Sequence, residues 1–235
     1  MNRVICGLSS MATRPLLAEL SEQIGLVHGL PVRFEAAGGV EIARRVREGA
    51  EADLLVLADG ALTALEEEGH LLAGTARPLW TSQVVAAVPT GSPVPVLDSD
   101  SDLRDVLRSA RKIAYSTGPS GTGLIELIGR LGLADALDGR LVQAAPGVPA
   151  GSLLSSGRAD LAFQQHSELM DLPGVVIAGP LPGDTAISST FGGGVLASAR
   201  EPDLALEVLG LFGSDTGSRA ARTRGMRAAG AGRGA

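Results

Sequence analysis

The sequence is poor in the residue types that build disulfide frameworks, metal clusters and base-stacking surfaces. Its 235 residues include one cysteine, three histidines, one Trp, one Tyr and four Phe. The single cysteine, Cys6, excludes an intrachain disulfide and a cysteine-based metal cluster. The three histidines, His28, His70 and His166, do not have the spacing of a metal site. With so few aromatic side chains, a protein that stacks nucleic-acid bases is not expected.

Basic charge and long apolar runs are scarce as well. Twenty Lys and Arg face 26 Asp and Glu, which gives a formal net charge of -6 and no basic footprint for a nucleic-acid partner. No apolar run approaches the roughly 20 residues that a membrane span needs. The run Val4–Leu8 is also shorter than the about 7–15 apolar residues of a secretory signal. We therefore predict no membrane insertion and a cytoplasmic location, or a periplasmic or extracellular one if a signal peptide was removed.

What the sequence does contain is a regular alternation of short apolar runs and helical patterns. Hydrophobic residues make up 45% of the chain, enough to bury a core. Residues 1–68 follow a βαβαβα pattern, which is typical of a mostly parallel sheet covered by helices. The predicted strands are Val4–Leu8, Val32–Ala37 and Leu54–Ala58, and the predicted helices are Pro15–His28, Val40–Glu48 and Ala61–Glu68.

A second βα series follows, and a proline- and serine-rich loop that starts at Pro89 comes after its first strand. Its predicted strands are Val84–Val88, Lys112–Ser116, Arg140–Ala144, Leu161–Gln164 and Val175–Gly179, and its predicted helices are Asp102–Ala110, Leu124–Leu131 and Val148–Ser156. A last apolar run, Thr190–Ala197, precedes a helix over Pro202–Phe212 that starts at a proline. A further helix could continue to about Arg224, and we predict that residues 226–235 form a frayed tail.

Two phrases in the sequence resemble each other. REGAEADLLVLADGALTAL at 47–65 and SSGRADLAFQQHSEL at 155–169 both run from a helix end through glycine and Ala-Asp into an apolar strand, a turn and a helix. This similarity predicts the same supersecondary unit in each half of the chain.

Polar residues and glycines gather where the predicted strands end and helices begin. In parallel α/β sheets, ligands bind beyond the carboxyl ends of the strands, and helix starts there offer free backbone N–H groups to anions. Hydroxyl and amide side chains add donors, glycine admits close approach, and an arginine can pair with a ligand carboxylate. The predicted ligand-binding residues are Ser9, Ser10, Arg14, Gly38, Gly39, Ser116, Thr117, Ser120, Gly121, Val148, Gln164 and Gln165, with Ser167 as a candidate N-cap.

Enzyme motifs are weak. The sequence contains no GxSxG, no HExxH and no GxGxxG, and STGPSGTG lacks the lysine of a phosphate-binding P-loop. His166 and Glu168 follow the strand that ends at Gln164, so either could act as an acid–base group in the ligand site. We predict no metal and no cofactor, and a small anion or carboxylate as the ligand.

Four segments together carry a resemblance to a known fold family. SSMATRPLLAEL, EAAGGVEIARRV, GAEADLLVLADGALTALEEEGHL and SSGRADLAFQQHSEL resemble the class II periplasmic-binding-protein family, in the class of molybdate-binding proteins. The resemblance implies an α/β fold of two lobes, each a mostly parallel sheet flanked by helices and joined by two crossover strands, with the ligand cleft between the lobes. Lobe I would hold residues 1–83 and 190–235, and lobe II residues 84–189.

The resemblance also implies ligand contacts. In molybdate-binding relatives, serine hydroxyls and helix-start N–H groups hold the anion, and Ser10, Gly39 and Val148 match those positions. The family has a tyrosine where this chain has Gln165, a departure that argues against molybdate itself.

The combination SSMATRP, AAGGV, STGPSG and FQQHSEL is similar to a subgroup that resembles aconitate isomerase. That likeness implies a cofactor-independent isomerase that shifts an allylic proton of a small polycarboxylate. The alternatives are a non-catalytic solute-binding protein, which would serve an ABC permease, and a sensory ligand-binding domain.

Overall fold

A computed structural model describes residues 4–230, and the chain divides into two compact units. Unit 1 runs up to Ser82 and resumes at Thr190, and unit 2 spans Gln83–Ser189. Among residues 4–230 the strands are β1 (Ile5–Ser10), β2 (Val32–Ala37), β3 (Leu54–Ala58), β4 (Arg77–Pro89), β5 (Ile113–Tyr115), β6 (Leu141–Gln143), β7 (Leu161–Gln165), β8 (Val175–Pro180), β9 (Ser188–Val195) and β10 (Met226–Ala228). The α-helices are α1 (Arg14–His28), α2 (Gly39–Arg47), α3 (Asp59–Glu67), α4 (Asp100–Ser109), α5 (Pro119–Arg130), α6 (Ser152–Ser155), α7 (His166–Leu169), α8 (Pro202–Phe212) and α9 (Asp215–Thr223). The chain passes between the units within β4 and within β9.

Unit 1 is built on a parallel sheet with an antiparallel strand at one side. β1 pairs in parallel with β2 and β3, and β3 pairs antiparallel with β9. Helix α1 begins after a 3-10 turn over Met11–Thr13 and buries Leu16, Leu17, Leu20 and Ile24 at helical spacing. The core also contains Trp80 and Phe212, whose ring centroids are 5.9 Å apart. The parallel order brings the carboxyl ends of β1 and β2 to one edge, where Ser10 is in register with Ala37.

Unit 2 repeats this plan. β5 pairs in parallel with β6 and β7, and β7 and β8 each pair antiparallel with β4. Helices α4 and α5 bury leucines such as Leu103, Leu107 and Leu124 in its core. The register of Tyr115 with Phe163 places the ends of β5 and β7 at the same edge. The prediction of an α/β chain with mostly parallel sheets flanked by helices is confirmed.

Each unit contains an aspartate that ties the start of one strand to a neighbouring segment. In unit 1 the buried carboxylate of Asp53 accepts hydrogen bonds from the backbone N–H groups of Cys6 and Arg200, both at 2.9 Å. In unit 2 Asp160 accepts from the N–H groups of Arg111 and Lys112 at 3.1 and 2.8 Å. These are the aspartates of the two similar sequence phrases, so the phrases build the same local structure twice.

Several predicted boundaries were wrong. β4 has 13 residues because it serves both units, whereas the continuous apolar run predicted only Val84–Val88. Helix α4 begins inside the predicted loop, where Ser99 caps it. Met226–Ala228, predicted as frayed tail, forms β10, which pairs antiparallel with β4 and buries Met226. Residues 231–235 of that predicted tail lie outside the described residues.

The helix predicted over Val148–Ser156 is also shorter than expected. Only Ser152–Ser155 are helical, and a left-handed glycine, Gly147 with φ of 76°, belongs to the turns before it. No helix within residues 4–230 is long and apolar enough to cross a membrane.

Candidate functional site

The turn from β7 into α7 in unit 2 holds the densest group of polar side chains from the predicted set. Gln164 and Gln165 are the last residues of β7 and are almost completely buried. The side-chain oxygen Oε1 of Gln164 accepts a hydrogen bond from the backbone N–H of Ala150 at 2.7 Å, and its Nε2 donates to Oε1 of Glu168 at 2.9 Å. This pairing brings the loop before α6, the end of β7 and helix α7 together at one point.

Glu168 is a partly buried residue whose carboxyl group has an altered acidity. Burial raises its pKa to about 7, because desolvation disfavours the charged form, and the hydrogen bond from Gln164 acts in the opposite direction. At neutral pH both protonation states are therefore populated. His166, two residues earlier, is half-buried, and desolvation lowers its pKa, so it is neutral at pH 7.

Two further polar side chains of this turn have atoms without a protein partner. Gln165 donates from Nε2 to Oγ of Ser189 at 2.7 Å, while its Oε1 is buried and has no hydrogen-bond partner among residues 4–230. In the same part of the chain, the buried Oγ of Ser167 is also unpaired. Ser167 is not the helix cap that we predicted, because Gln165 occupies the N-cap position. Buried unpaired polar atoms are rare and point to a ligand or water.

The start of α5 forms a second polar group in unit 2. Oγ of Ser116 lies 2.8 Å from Oγ of Ser120, and Ser120 is buried. Thr117 is exposed in the same turn. Gly121 has a packing reason of its own, since a Cβ there would lie 1.8 Å from the carbonyl oxygen of Ser116. The hydroxyl pair lies at the carboxyl end of β5, next to that of β7.

Val148 does not occupy the position that the sequence predicted. It precedes α6 by four residues, and its backbone N–H donates to the carbonyl oxygen of Ala145 at 3.0 Å, which closes a turn. Since this donor is already used, Val148 offers no helix-start N–H group to an anion. The short helix forms later because Gly147 and Pro149 interrupt the helical pattern.

In unit 1, Ser9 and Ser10 were predicted to follow the first strand. They are instead the last two residues of β1. Ser9 is fully buried and its Oγ has no partner among the described residues. Oγ of Ser10 lies 3.4 Å from Oγ1 of Thr13, a residue that the sequence reasoning did not select. Arg14 opens α1 and is exposed, with no ion pair within residues 4–230.

Gly38 and Gly39 form the start of α2 beside this edge. Gly38 is the N-cap with φ of -58°, a conformation open to any residue, and a Cβ there would meet no atom within 4 Å. A Cβ on Gly39 would only approach Leu57, at 4.0 Å. Because the fold does not require glycine at these two positions, close approach of a ligand to the backbone is a reason for their small size.

The predicted site residues thus form one group in each unit, at the carboxyl ends of its strands. Val148 is the exception. The sequence reasoning did not select Ala150 and Ser189, which contribute a backbone donor and a hydroxyl to the unit 2 group. No signal in the sequence identifies them, because their roles depend on the hydrogen bonds that Gln164 and Gln165 make in the folded structure. The ligand cleft between the lobes stays a prediction.

Two further features of the described residues lie outside these polar groups or are absent. Within residues 4–230 no three His, Cys, Asp or Glu side chains are placed to hold a metal ion. A cavity of about 240 Å³ in unit 1 is lined by Val4, Cys6, Asp53 and Arg200, among others. It lies at the amino end of β1, opposite the edge that holds Ser9 and Ser10.

Comparison with known proteins gives a family, a curated relative and structural neighbours. A family model described as bacterial extracellular solute-binding protein matches residues 7–227. An aconitate isomerase of Pseudomonas sp is 26% identical over 186 residues, which cover 79% of this chain and 71% of that protein.

Among solved structures, the periplasmic molybdate-binding protein of Azotobacter vinelandii has a TM-score of 0.78 at 19% identity, covering 94% of this chain and 98% of that one. The sulfate-binding protein SubI of Mycobacterium tuberculosis has a TM-score of 0.80 at 15% identity, covering 97% of this chain and 88% of that one. At these identities the structures show the fold. The predicted likeness to molybdate-binding proteins of the periplasmic-binding-protein class is confirmed.

Proposed function

This chain belongs to the bacterial extracellular solute-binding protein family, and we propose that it uses this fold to isomerise a small polycarboxylate by moving one allylic proton. The observation that carries the proposal is Glu168, a partly buried residue whose carboxyl group has a pKa raised to about 7, beside unpaired polar atoms. The similarity to an aconitate isomerase over 79% of the chain supports the same reaction class. The family description also supports an exported protein, while the cytoplasmic location stays a prediction.

The chemistry requires one group that takes a proton and returns it. The ionised Glu168 removes a proton from the methylene carbon next to the double bond, and the electron pair of that C–H bond delocalises toward the substrate carboxylates. Glu168 then returns the proton to the carbon at the other end of the three-carbon unit, so the double bond moves and no atom is lost. A pKa near the working pH suits this cycle, since both forms of the carboxyl group are accessible.

The substrate carboxylates need donors, and the two polar groups supply them. In unit 2 the Ser116–Ser120 hydroxyl pair lies at the first turn of the 12-residue helix α5, where N–H groups and the helix dipole favour anions. In unit 1 we assign the same role to the unpaired hydroxyl of Ser9 and to the start of α2 at Gly39. Exposed Arg14 can pair with a carboxylate, and such pairs would also stabilise the charge that develops during proton transfer.

Proton NMR in D2O with cis- and trans-aconitate tests this reaction. We expect the isomers to interconvert, with deuterium entering the methylene group in those turnovers in which the proton on Glu168 exchanges with solvent before it is returned. Glu168→Gln should lower kcat by about 10²–10⁴-fold, because the variant cannot accept a proton. Glu126→Gln is the matched control, since Glu126 is exposed on α5 in the same unit and should not affect turnover. Full activity in Glu168→Gln would refute the assignment of the base.

A non-catalytic receptor for a small carboxylate or oxyanion is the second candidate function. The family description favours it, and so do the hydroxyl groups of Ser9, Ser116 and Ser120, which suit an anion without any chemistry. Line broadening of aconitate without deuterium entry or interconversion would favour this reading. Relief of that broadening by added molybdate would identify an oxyanion receptor.

A further inference from the structure

The amide of Gln164 has a fixed orientation, because both of its ends have partners. Its Oε1 accepts from the backbone N–H of Ala150, with 2.7 Å between N and O, and its Nε2 lies 2.9 Å from Oε1 of Glu168. A backbone N–H can only donate, so the atom facing Ala150 must be the amide oxygen. The amide nitrogen therefore faces Glu168 and donates to it.

The turn itself does not require an amide at this position, although the amide satisfies the backbone N–H of Ala150. In unit 1 the equivalent position of the Ala-Asp phrase is Leu57, which is as completely buried as Gln164. The backbone that follows is also the same, with φ and ψ of -58° and 140° at Ala58 and -55° and 136° at Gln165. Since a leucine suffices in one copy of the turn, the amide in the other copy is explained by its two partners, the backbone N–H of Ala150 and the carboxyl group of Glu168.

The amide of Gln164 makes the surroundings of the two carboxyl oxygens of Glu168 different. Oε1 is held by the donor from Gln164, while Oε2 has no hydrogen-bond partner within residues 4–230. Burial and this one hydrogen bond are the causes that act on the acidity of the group. No charged side chain of the described residues contributes, and the nearest titratable neighbour along the helix, His166, is neutral at pH 7 because burial lowers its pKa.

We propose that Gln164 is a positioning residue, which holds Oε1 of Glu168 and leaves Oε2 as the atom that takes the substrate proton and returns it. This role rests on the proposed isomerase function. Through Ala150, the same amide also connects the loop before α6 to the carboxyl group, so displacement of that loop would misplace Oε2.

Two substitutions at Gln164 test this role. Gln164→Leu introduces the residue of the equivalent turn and removes the donor to Glu168. Gln164→Glu keeps an acceptor for Ala150 but removes the donor and adds a like charge. For both variants we expect kcat to fall about 10- to 100-fold with KM changed much less, and the pH profile of kcat to move to higher pH. Gln143→Glu, an exposed site on β6, is the matched control and should keep the normal profile.

A measurement without turnover separates this proposal from the proposed function. Carbon-13 NMR of glutamate-labelled protein follows the titration of the Glu168 carboxyl group directly, with Glu168→Gln used to assign its signal. We expect the midpoint to rise by about one pH unit in Gln164→Leu, since the donor stabilises the ionised form. An unchanged midpoint, or an unchanged pH profile in a folded Gln164→Glu variant, would overturn the positioning role. If the midpoint rises as expected but the protein has no isomerase activity, the proposed reaction is refuted, while the effect of Gln164 on the carboxyl group of Glu168 is not.

Discussion

The turns after β3 and after β7 are two copies of one local structure, and they differ in the polarity of the side chains at two equivalent positions. Both follow an Ala-Asp pair, and both end their strand in nearly the same backbone conformation. At the fourth position after the aspartate, unit 1 has Leu57 and unit 2 has Gln164, each almost completely buried. At the eighth position, unit 1 has Ala61 and unit 2 has Glu168.

The difference separates what the fold requires from what the site requires. Unit 1 shows that this turn forms with an apolar side chain at the position of Gln164 and with alanine at the position of Glu168. Burying an amide and a carboxyl group costs free energy unless hydrogen bonds compensate, and in unit 2 the chain keeps both groups. We attribute that cost to function, in agreement with the expectation that departures from local rules gather at functional sites.

The largest effect is expected when the glutamine of the unit 2 turn is placed at the equivalent position of unit 1, Leu57. Leu57→Gln would bury an amide in an apolar cluster with no partner built for it. The lost apolar burial and the unpaired amide together should lower the free energy of unfolding by about 4 kcal/mol. Denaturant unfolding measures this, with Leu57→Met as the control, which should cost less than about 1.5 kcal/mol. Equal losses in the two variants would show that polarity does not matter in this turn.

The pH dependence of the free energy of unfolding tests the unit 2 turn, through the carboxyl group of Glu168. The pKa of Glu168 is raised from 4.5 to about 7, so between these values the folded protein keeps a proton that the unfolded chain has lost. Stability therefore falls as pH rises through this window, and above pH 7 the full penalty of about 3 kcal/mol is present.

Glu168→Gln removes this penalty because it cannot ionise. Thermal unfolding should show the variant to be more stable than the parent at pH 8, with the difference vanishing at pH 4. A constant difference at all pH values would mean that ionisation of Glu168 is not its cause.

The two aspartates of the phrases should differ in their contribution to stability. Asp53 is 6% exposed, whereas the Asp160 side chain is 28% exposed. Truncation to alanine leaves two backbone N–H groups unpaired in each case, but water can reach them more easily in unit 2. We expect Asp53→Ala to cost about 3 kcal/mol and Asp160→Ala about 1 kcal/mol. Equal costs in denaturant titrations would show that burial does not distinguish the two copies.

The smallest expected difference concerns the side-chain helix caps. In unit 2 Ser99 and Asp102 form a reciprocal capping box at the start of α4. In unit 1 Ser214 accepts only a long bond, 3.4 Å, from the N–H of Gly217 at the start of α9. We expect Ser99→Ala to cost about 1 kcal/mol and Ser214→Ala about half of that. Melting temperatures of the two variants, measured side by side, show which substitution costs more stability. A larger loss in Ser214→Ala than in Ser99→Ala would contradict the prediction.

Much of the fold was predictable from local patterns. Short apolar runs gave β1, β2 and β3 to within two residues, and helical spacing of leucines gave α1 and α8. Prediction failed where a distant strand decided the outcome. Met226–Ala228 has no strand signal of its own and forms β10 because it adds to the edge of β4.

The candidate site was predictable as a set of positions but not as a set of interactions. Serines, glycines and glutamines at strand ends identified the carboxyl edges of both units, because parallel strands bring those ends together. The helix start predicted at Val148 was wrong, since a turn already uses its N–H group, which no periodicity could reveal.

By itself the sequence determined the order of strands and helices up to α9 and which ends carry polar side chains, because apolar runs and helical spacing are local properties of the chain. The tertiary structure alone decided that Gln164 pairs with Ala150 and Glu168, and that Glu168 titrates near neutral pH. The reason is that desolvation and buried hydrogen bonds depend on segments distant in sequence, and only packing brings them together.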